Sequence, residues 1–145
     1  MGLDMYLNAK RYVGYGEDEL SDKVTEAAKS PFGPIKIVEA EAMYWRKSNA
    51  IHQWFVKNVQ DDVDDCGEYD VDRSQLRELM ETCQLVLADH KRAPELLPTQ
   101  SGFFFGGTDY NEMYFADIES TATALEKLLS VPEPAGWYFV YTSSW

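Results

Sequence analysis

The sequence predicts an α+β domain, a mostly antiparallel sheet of four to five short strands packed by about three helices. Three observations carry that expectation. Leu3, Met5 and Leu7 alternate with Asp4, Tyr6 and Asn8, the period of a strand buried on one face. Apolar residues recur at helical spacing in three longer stretches, with short runs of β-forming residues between them. The one-sided first strand also argues against a parallel α/β layout, whose strands are buried on both faces. At 145 residues, the chain is most simply one domain spanning 1–145.

Taken in order, the first strand extends toward Val13 and is closed by Gly14 and Gly16. Glu17 to Lys29 is polar, with Leu20, Val24 and Ala27 or Ala28 at helical spacing, and reads as a short weak helix or an ordered loop. Pro31, Gly33 and Pro34 form a turn cluster. Ile35 to Trp45 is rich in β-formers and reads as a second strand. Ser48 or the basic pair before it opens a helix to about Gln60, with Ile51, Phe55 and Val59 as its stripe and Trp54 beside them. Tyr69 to Val71 is a short strand. Asp72 with Gln75 forms a capping box ahead of a helix striped by Leu76, Leu79, Met80, Cys83, Val86 and Leu87. That helix is expected to end near His90-Lys91-Arg92, with Pro94 just beyond. Leu96 to Gly102 is a loop. Phe103-Phe104-Phe105 reads as a short buried strand closed by Gly106-Gly107. Asp109 with Glu112 suggests a second capping box, for a helix striped by Phe115, Ile118, Ala122, Leu125 and Leu129 and ending near Ser130. Pro132 and Pro134 break it, and Trp137 to Thr142 is the last strand.

Bulk properties exclude several function classes. A composition 45% hydrophobic can fill a core of this size, which sets global disorder aside. The net charge of −12 argues against general nucleic-acid binding, which needs clustered Lys and Arg. It suits a basic protein partner or mimicry of nucleic acid. No apolar run approaches the roughly 20 residues that span a bilayer. The opening has no basic region or apolar signal core, and Tyr6 stands where a myristoylation site needs Ser or Thr. Two cysteines are too few for a disulfide scaffold. The expected setting is the cytoplasm, without membrane association.

Candidate binding residues fall in two stretches. Tyr44, Trp45, Arg46, Lys47, Asn49 and His52 bring aromatic faces, two cations, an amide and an imidazole together. Arg46 and Lys47 are expected in the first turn of a helix, where cations oppose the helix dipole unless an anion is near. Asn49 and His52, three apart, share a face. One reading is a phosphate or carboxylate pocket with aromatic walls; the other is a buried helix with snorkelling cations and a hydrogen-bonded core histidine. In the second stretch, Thr99 and Ser101 supply hydroxyls, and Gly106 and Gly107 let backbone amides approach a phosphate. It lacks the lysine and spacing of a P-loop and is equally a tight strand-to-helix turn.

The other chemistries are weaker. Between Asp61 and Asp72 lie six Asp and one Glu without a cation, an acidic docking loop or a solvated one. Its spacing approaches a calcium loop, but Cys66 and Arg73 stand where oxygen ligands belong. No spacing offers zinc four ligands, and no metal or cofactor is implied. Ser101 is not in a nucleophile elbow, Cys66 sits among carboxylates that oppose a thiolate, and Cys83 lies on a core stripe.

Several blocks together resemble a known family. They are Met1-Gly2-Leu3-Asp4-Met5-Tyr6-Leu7, Tyr44-Trp45-Arg46-Lys47 with Asn49, Ile51, His52, Trp54 and Phe55, Leu97-Pro98-Thr99 with Ser101-Gly102-Phe103-Phe104-Phe105-Gly106, and Ser143-Ser144-Trp145. Spread over nearly the whole chain, they resemble small proteins encoded by bacteriophages and prophages. The resemblance carries over no catalytic residue. It implies an accessory role in a host bacterial cytoplasm, where small phage proteins blunt host defence by sequestering nucleotide signals or by binding a defence protein. Three functions are therefore expected: a non-enzymatic binder of a small anionic, nucleotide-like ligand, an acidic inhibitor of a host defence protein, or a nucleotide-processing enzyme using His52 as acid/base.

Overall fold

The computed structural model describes residues 2–14 and 18–145. Gly16 and Glu17, expected at the end of the first strand and the start of the first helix, lie outside the described residues, as does Met1.

Strand β1 (Asp4–Tyr12) lies between β2 (Ile37–Arg46) and β4 (Trp137–Ser144), and β4 also pairs with β3 (Tyr69–Val71). Every pairing is antiparallel, in the order β2-β1-β4-β3. The register of β1 on β2 slips between Leu7 and Asn8, leaving Ala42 without a partner, as in a bulge. The expected alternation is realised: Leu3, Met5 and Leu7 are fully buried, while Asp4, Tyr6 and Asn8 lie half-buried on the other face. Burying three such side chains contributes roughly 1.5–3 kcal/mol each, enough to fix the register.

The helices are α1 (Glu19–Ala27), α2 (Asn49–Asn58), α3 (Arg73–Ala88), the single turn α4 (Ala93–Leu96) and α5 (Glu112–Ser130). In α2, Ile51 and Phe55 are fully buried, and the Phe55 ring stacks on Tyr141 of β4 at 3.9 Å. In α3, Leu76, Leu79, Cys83 and Val86 are buried, and the helix packs on α5. Its capping box forms, with Gln75 Oε1 accepting from the Asp72 amide at 2.9 Å. The core thus lies between the helices and one face of the sheet. α1 buries only Ser21 along its length, in keeping with its weak pattern.

The structure corrects three expectations. Phe103-Phe104-Phe105 is a turn, not a buried strand: Phe103 is 94% exposed, and only Phe105 enters the core. Gly102 decides this, because a side chain there would sit 2.5 Å from the Phe105 ring that folds back over it. The cap of α5 is Asn111, whose side chain accepts from the Tyr114 amide at 3.1 Å, rather than Asp109. Arg46 ends β2 and Lys47 makes a bend at φ 56°, so neither cation is in the first turn of α2. As expected, α3 ends close to His90, at Ala88; His90–Arg92 then forms a 3-10 turn leading into α4, which tolerates Pro94 in its first turn.

Candidate functional site

Where β2 ends, the chain turns sharply into α2, and the compact loop from Pro98 to Tyr110 closes over that corner. Asn49, at the start of α2, pins the loop. Its side-chain amide donates to the carbonyls of Phe105 and Gly107, both at 2.9 Å, and its oxygen accepts from the Gln100 amide at 2.9 Å. Thr99 Oγ1 donates to the Thr108 carbonyl at 2.9 Å, and the Tyr114 hydroxyl donates to the Leu97 carbonyl at 2.7 Å, drawing the loop's ends together. Gly106, at φ 87°, lies against Lys47; a Cβ there would stand 3.1 Å from Lys47 Cβ and 3.3 Å from its carbonyl oxygen. Only glycine meets both demands without strain.

A cleft of about 220 Å³ remains between this corner and the start of α5. Arg46, Lys47, Asn49, Thr99, Gly106 and Gly107, six of the ten residues expected to bind ligand, line it. Both cations are exposed. The first turn of α2 forms another wall; it holds no acidic residue, and Ser48 makes no capping bond to it. The remaining wall comes from α5, including Met113, Tyr114 and Asp117. Burial pushes the Asp117 carboxyl above its ordinary range, opposed by a hydrogen bond with the Ser48 side chain. Sequence reading passed over Asp117. The signal was present: with Tyr114, Ile118 and Thr121 it shares the buried face of a helix, where carboxylates are scarce.

The other four expected residues lie elsewhere. Trp45 is in the core, where its indole donates to Thr121 Oγ1 at 2.9 Å. Tyr44 is on the outer face of the sheet, its hydroxyl bonded to Asp4 and its ring 5.3 Å from that of Tyr6. Ser101 is exposed but does not line the cleft. His52 is fully buried. Its Nδ1 meets the Tyr141 hydroxyl at 2.6 Å and its Nε2 meets Asp64 Oδ2 at 2.9 Å. Burial raises the Tyr141 phenol well above its usual range, so the hydroxyl stays protonated. Nε2 donates to the Asp64 carboxylate, which only accepts. His52 therefore ties α2 to β4 and to the acidic loop. Trp54, beside the apolar stripe of α2, is buried against Phe55.

The acidic loop is partly consumed by the fold. Asp64 accepts from His52 and from the Trp145 indole. Asp65 accepts from the Gly67 amide and the Tyr69 hydroxyl, bonds that lower its carboxyl range. Arg73, where a calcium loop needs a carboxylate, donates to the Leu129 and Val131 carbonyls at the end of α5. Among the described residues, no His, Cys, Asp and Glu cluster has the arrangement of a metal site. Nor is any helix among them long and apolar enough to cross a membrane.

Fold and cleft together define an α+β domain with a small cleft, bordered by two cations, at a strand-to-helix corner. Comparison with protein-family models, curated proteins and solved structures finds no match for the chain.

Proposed function

We propose that the protein binds a small anionic, phosphate-bearing ligand in the cleft between β2, α2 and α5, without turning it over. One observation carries this reading: two exposed cations, Arg46 and Lys47, border a cleft whose facing walls are the positive end of α2 and the backbone of Gly106-Gly107. An arginine fork pairs well with phosphate oxygens, and a helix start without an acidic residue favours negative charge. Asp117 on the α5 wall opposes an anion, so the phosphate would sit toward Arg46, Lys47 and the start of α2. At about 220 Å³ the cleft is smaller than a typical ligand pocket of roughly 300–1,000 Å³. It suits a phosphate or sugar phosphate, and a nucleotide's base would project outside. Neither Trp45 nor Trp54 is placed to stack on that base, so affinity rests on the phosphate end. His52, the acid/base candidate, is occupied in the core, which favours binding over turnover. In the bacteriophage setting that the resemblance implies, such a ligand would be a phosphate-bearing signal of host defence.

Calorimetry with inorganic phosphate, ribose 5-phosphate, AMP, ADP-ribose and a cyclic dinucleotide tests this. Saturable binding is expected for at least one, with at least about a tenfold loss in Arg46→Ala/Lys47→Ala. Chromatography should recover the ligand unchanged. Failure of all five ligands, or equal affinity in the double variant, overturns the reading.

A further inference from the structure

We propose that the free edge of β2 docks an extended, basic segment of a partner protein, which joins the sheet as a fifth strand. β2 is one of the sheet's two edge strands, and by far the longer, since β3 has only three residues. Its ten residues make an edge about 34 Å long at roughly 3.4 Å per residue. Among the described residues, the backbone hydrogen bonds outside the regular ladders involve no residue from Ile37 to Arg46. That outer row of amides and carbonyls is open to pairing. Soluble proteins commonly guard such an edge with charge, proline or a bulge; β2 has no proline, its charges before the bulge at Ala42 are Glu39 and Glu41, and these repel like-charged strands while leaving a basic one admissible. Its one irregularity is the unpaired Ala42, which leaves Ile37 to Glu41 as an uninterrupted stretch.

Charge selects the occupant. Glu39 and Glu41 point to the same face of the sheet and are exposed. Glu39 bonds to Asn8 and lies 4.0 Å from Lys10, whose shorter pairing, at 2.9 Å, is with Glu68. Glu41 has no partner among the described residues. A strand added here places every second side chain beside these carboxylates, so lysine or arginine at alternate positions is complementary. Its intervening residues lie on the face of half-buried Val38 and exposed Ala40, which suits small apolar side chains. A second copy of this chain is a poorer occupant, because each copy brings a net charge of −12.

Nuclear magnetic resonance titration with an eight-residue peptide of alternating lysine and valine tests the proposal, with a glutamate–valine peptide as control. The lysine peptide should shift the amides of Ile37 to Glu41 and their β1 partners, more weakly as salt rises. Glu39→Lys/Glu41→Lys, a surface change that leaves the core untouched, should weaken it about tenfold and let the glutamate peptide bind instead. Equal binding of both peptides, shifts confined to other strands, or self-association through β2 overturns the proposal. None of these results depends on the cleft, because both variant positions lie outside it.

Discussion

His52→Phe separates a structural histidine from a chemical one. The substitution keeps an aromatic ring in a fully buried position but removes both nitrogens. Two hydrogen bonds vanish, one to the Tyr141 hydroxyl at 2.6 Å and one to Asp64 at 2.9 Å. The Asp64 side chain is 27% exposed and can turn to water, so its loss is modest. Tyr141 is fully buried, and its hydroxyl is left without its partner, which costs roughly 1–3 kcal/mol. Together the two losses come to about 3 kcal/mol, a large share of a typical stability of roughly 5–15 kcal/mol. At a slope of about 2 kcal/mol per molar, the urea midpoint should fall by about 1.5 M. Tyr141→Phe completes the test. Removing both polar ends of the pair leaves no orphan between them, so the double variant should be less destabilised than the sum of the single variants by about 1–3 kcal/mol. A cost below about 1 kcal/mol for His52→Phe, or additivity within about 0.5 kcal/mol, refutes the assignment.

Three further outcomes are expected. Asp117→Asn should raise stability at neutral pH and flatten its pH dependence. Because the folded carboxyl lies above its ordinary value of 3.8, Asp117 contributes stability at lower pH that disappears as pH rises through the raised value. Thermal melts at pH 3.5 and 7.5 should therefore show the variant's advantage only at the higher pH. Phe105→Ala should cost about 3–5 kcal/mol and Phe103→Ala less than about 0.5 kcal/mol, because only the first ring is in the core; comparable losses in urea would contradict the turn. A thiol reagent should label one cysteine in the native protein and two in denaturant, since Cys66 is exposed while Cys83 is buried with its thiol pushed up to about 12.

Local pattern carried most of the fold. The alternation Leu3, Met5, Leu7 and the stripe Leu76 to Val86 each demand one secondary structure and one buried face, and both were realised. The errors fell where local pattern is ambiguous. Three successive phenylalanines read as a buried strand, yet a turn that buries one ring and exposes another satisfies the same residues. Asp109 and Asn111 are both good caps, and the choice depended on where the preceding loop delivers the chain.

The candidate site divides in the same way. Composition drew attention to Arg46, Lys47, Asn49, Thr99, Gly106 and Gly107, and these line one cleft. The same composition also drew in Trp45 and His52, which face the core. A sequence determines residue type and local period, and so it determined the antiparallel α+β architecture, the cationic pair and the glycines beside it. Which way each side chain points at a strand-to-helix corner depends on the residue where the helix begins. A shift of one position turns a helical side chain by about 100°. Only the tertiary structure, through the Lys47 bend and the loop pinned by Asn49, decided that two cations stay outside while the histidine three residues beyond Asn49 is sealed in the core.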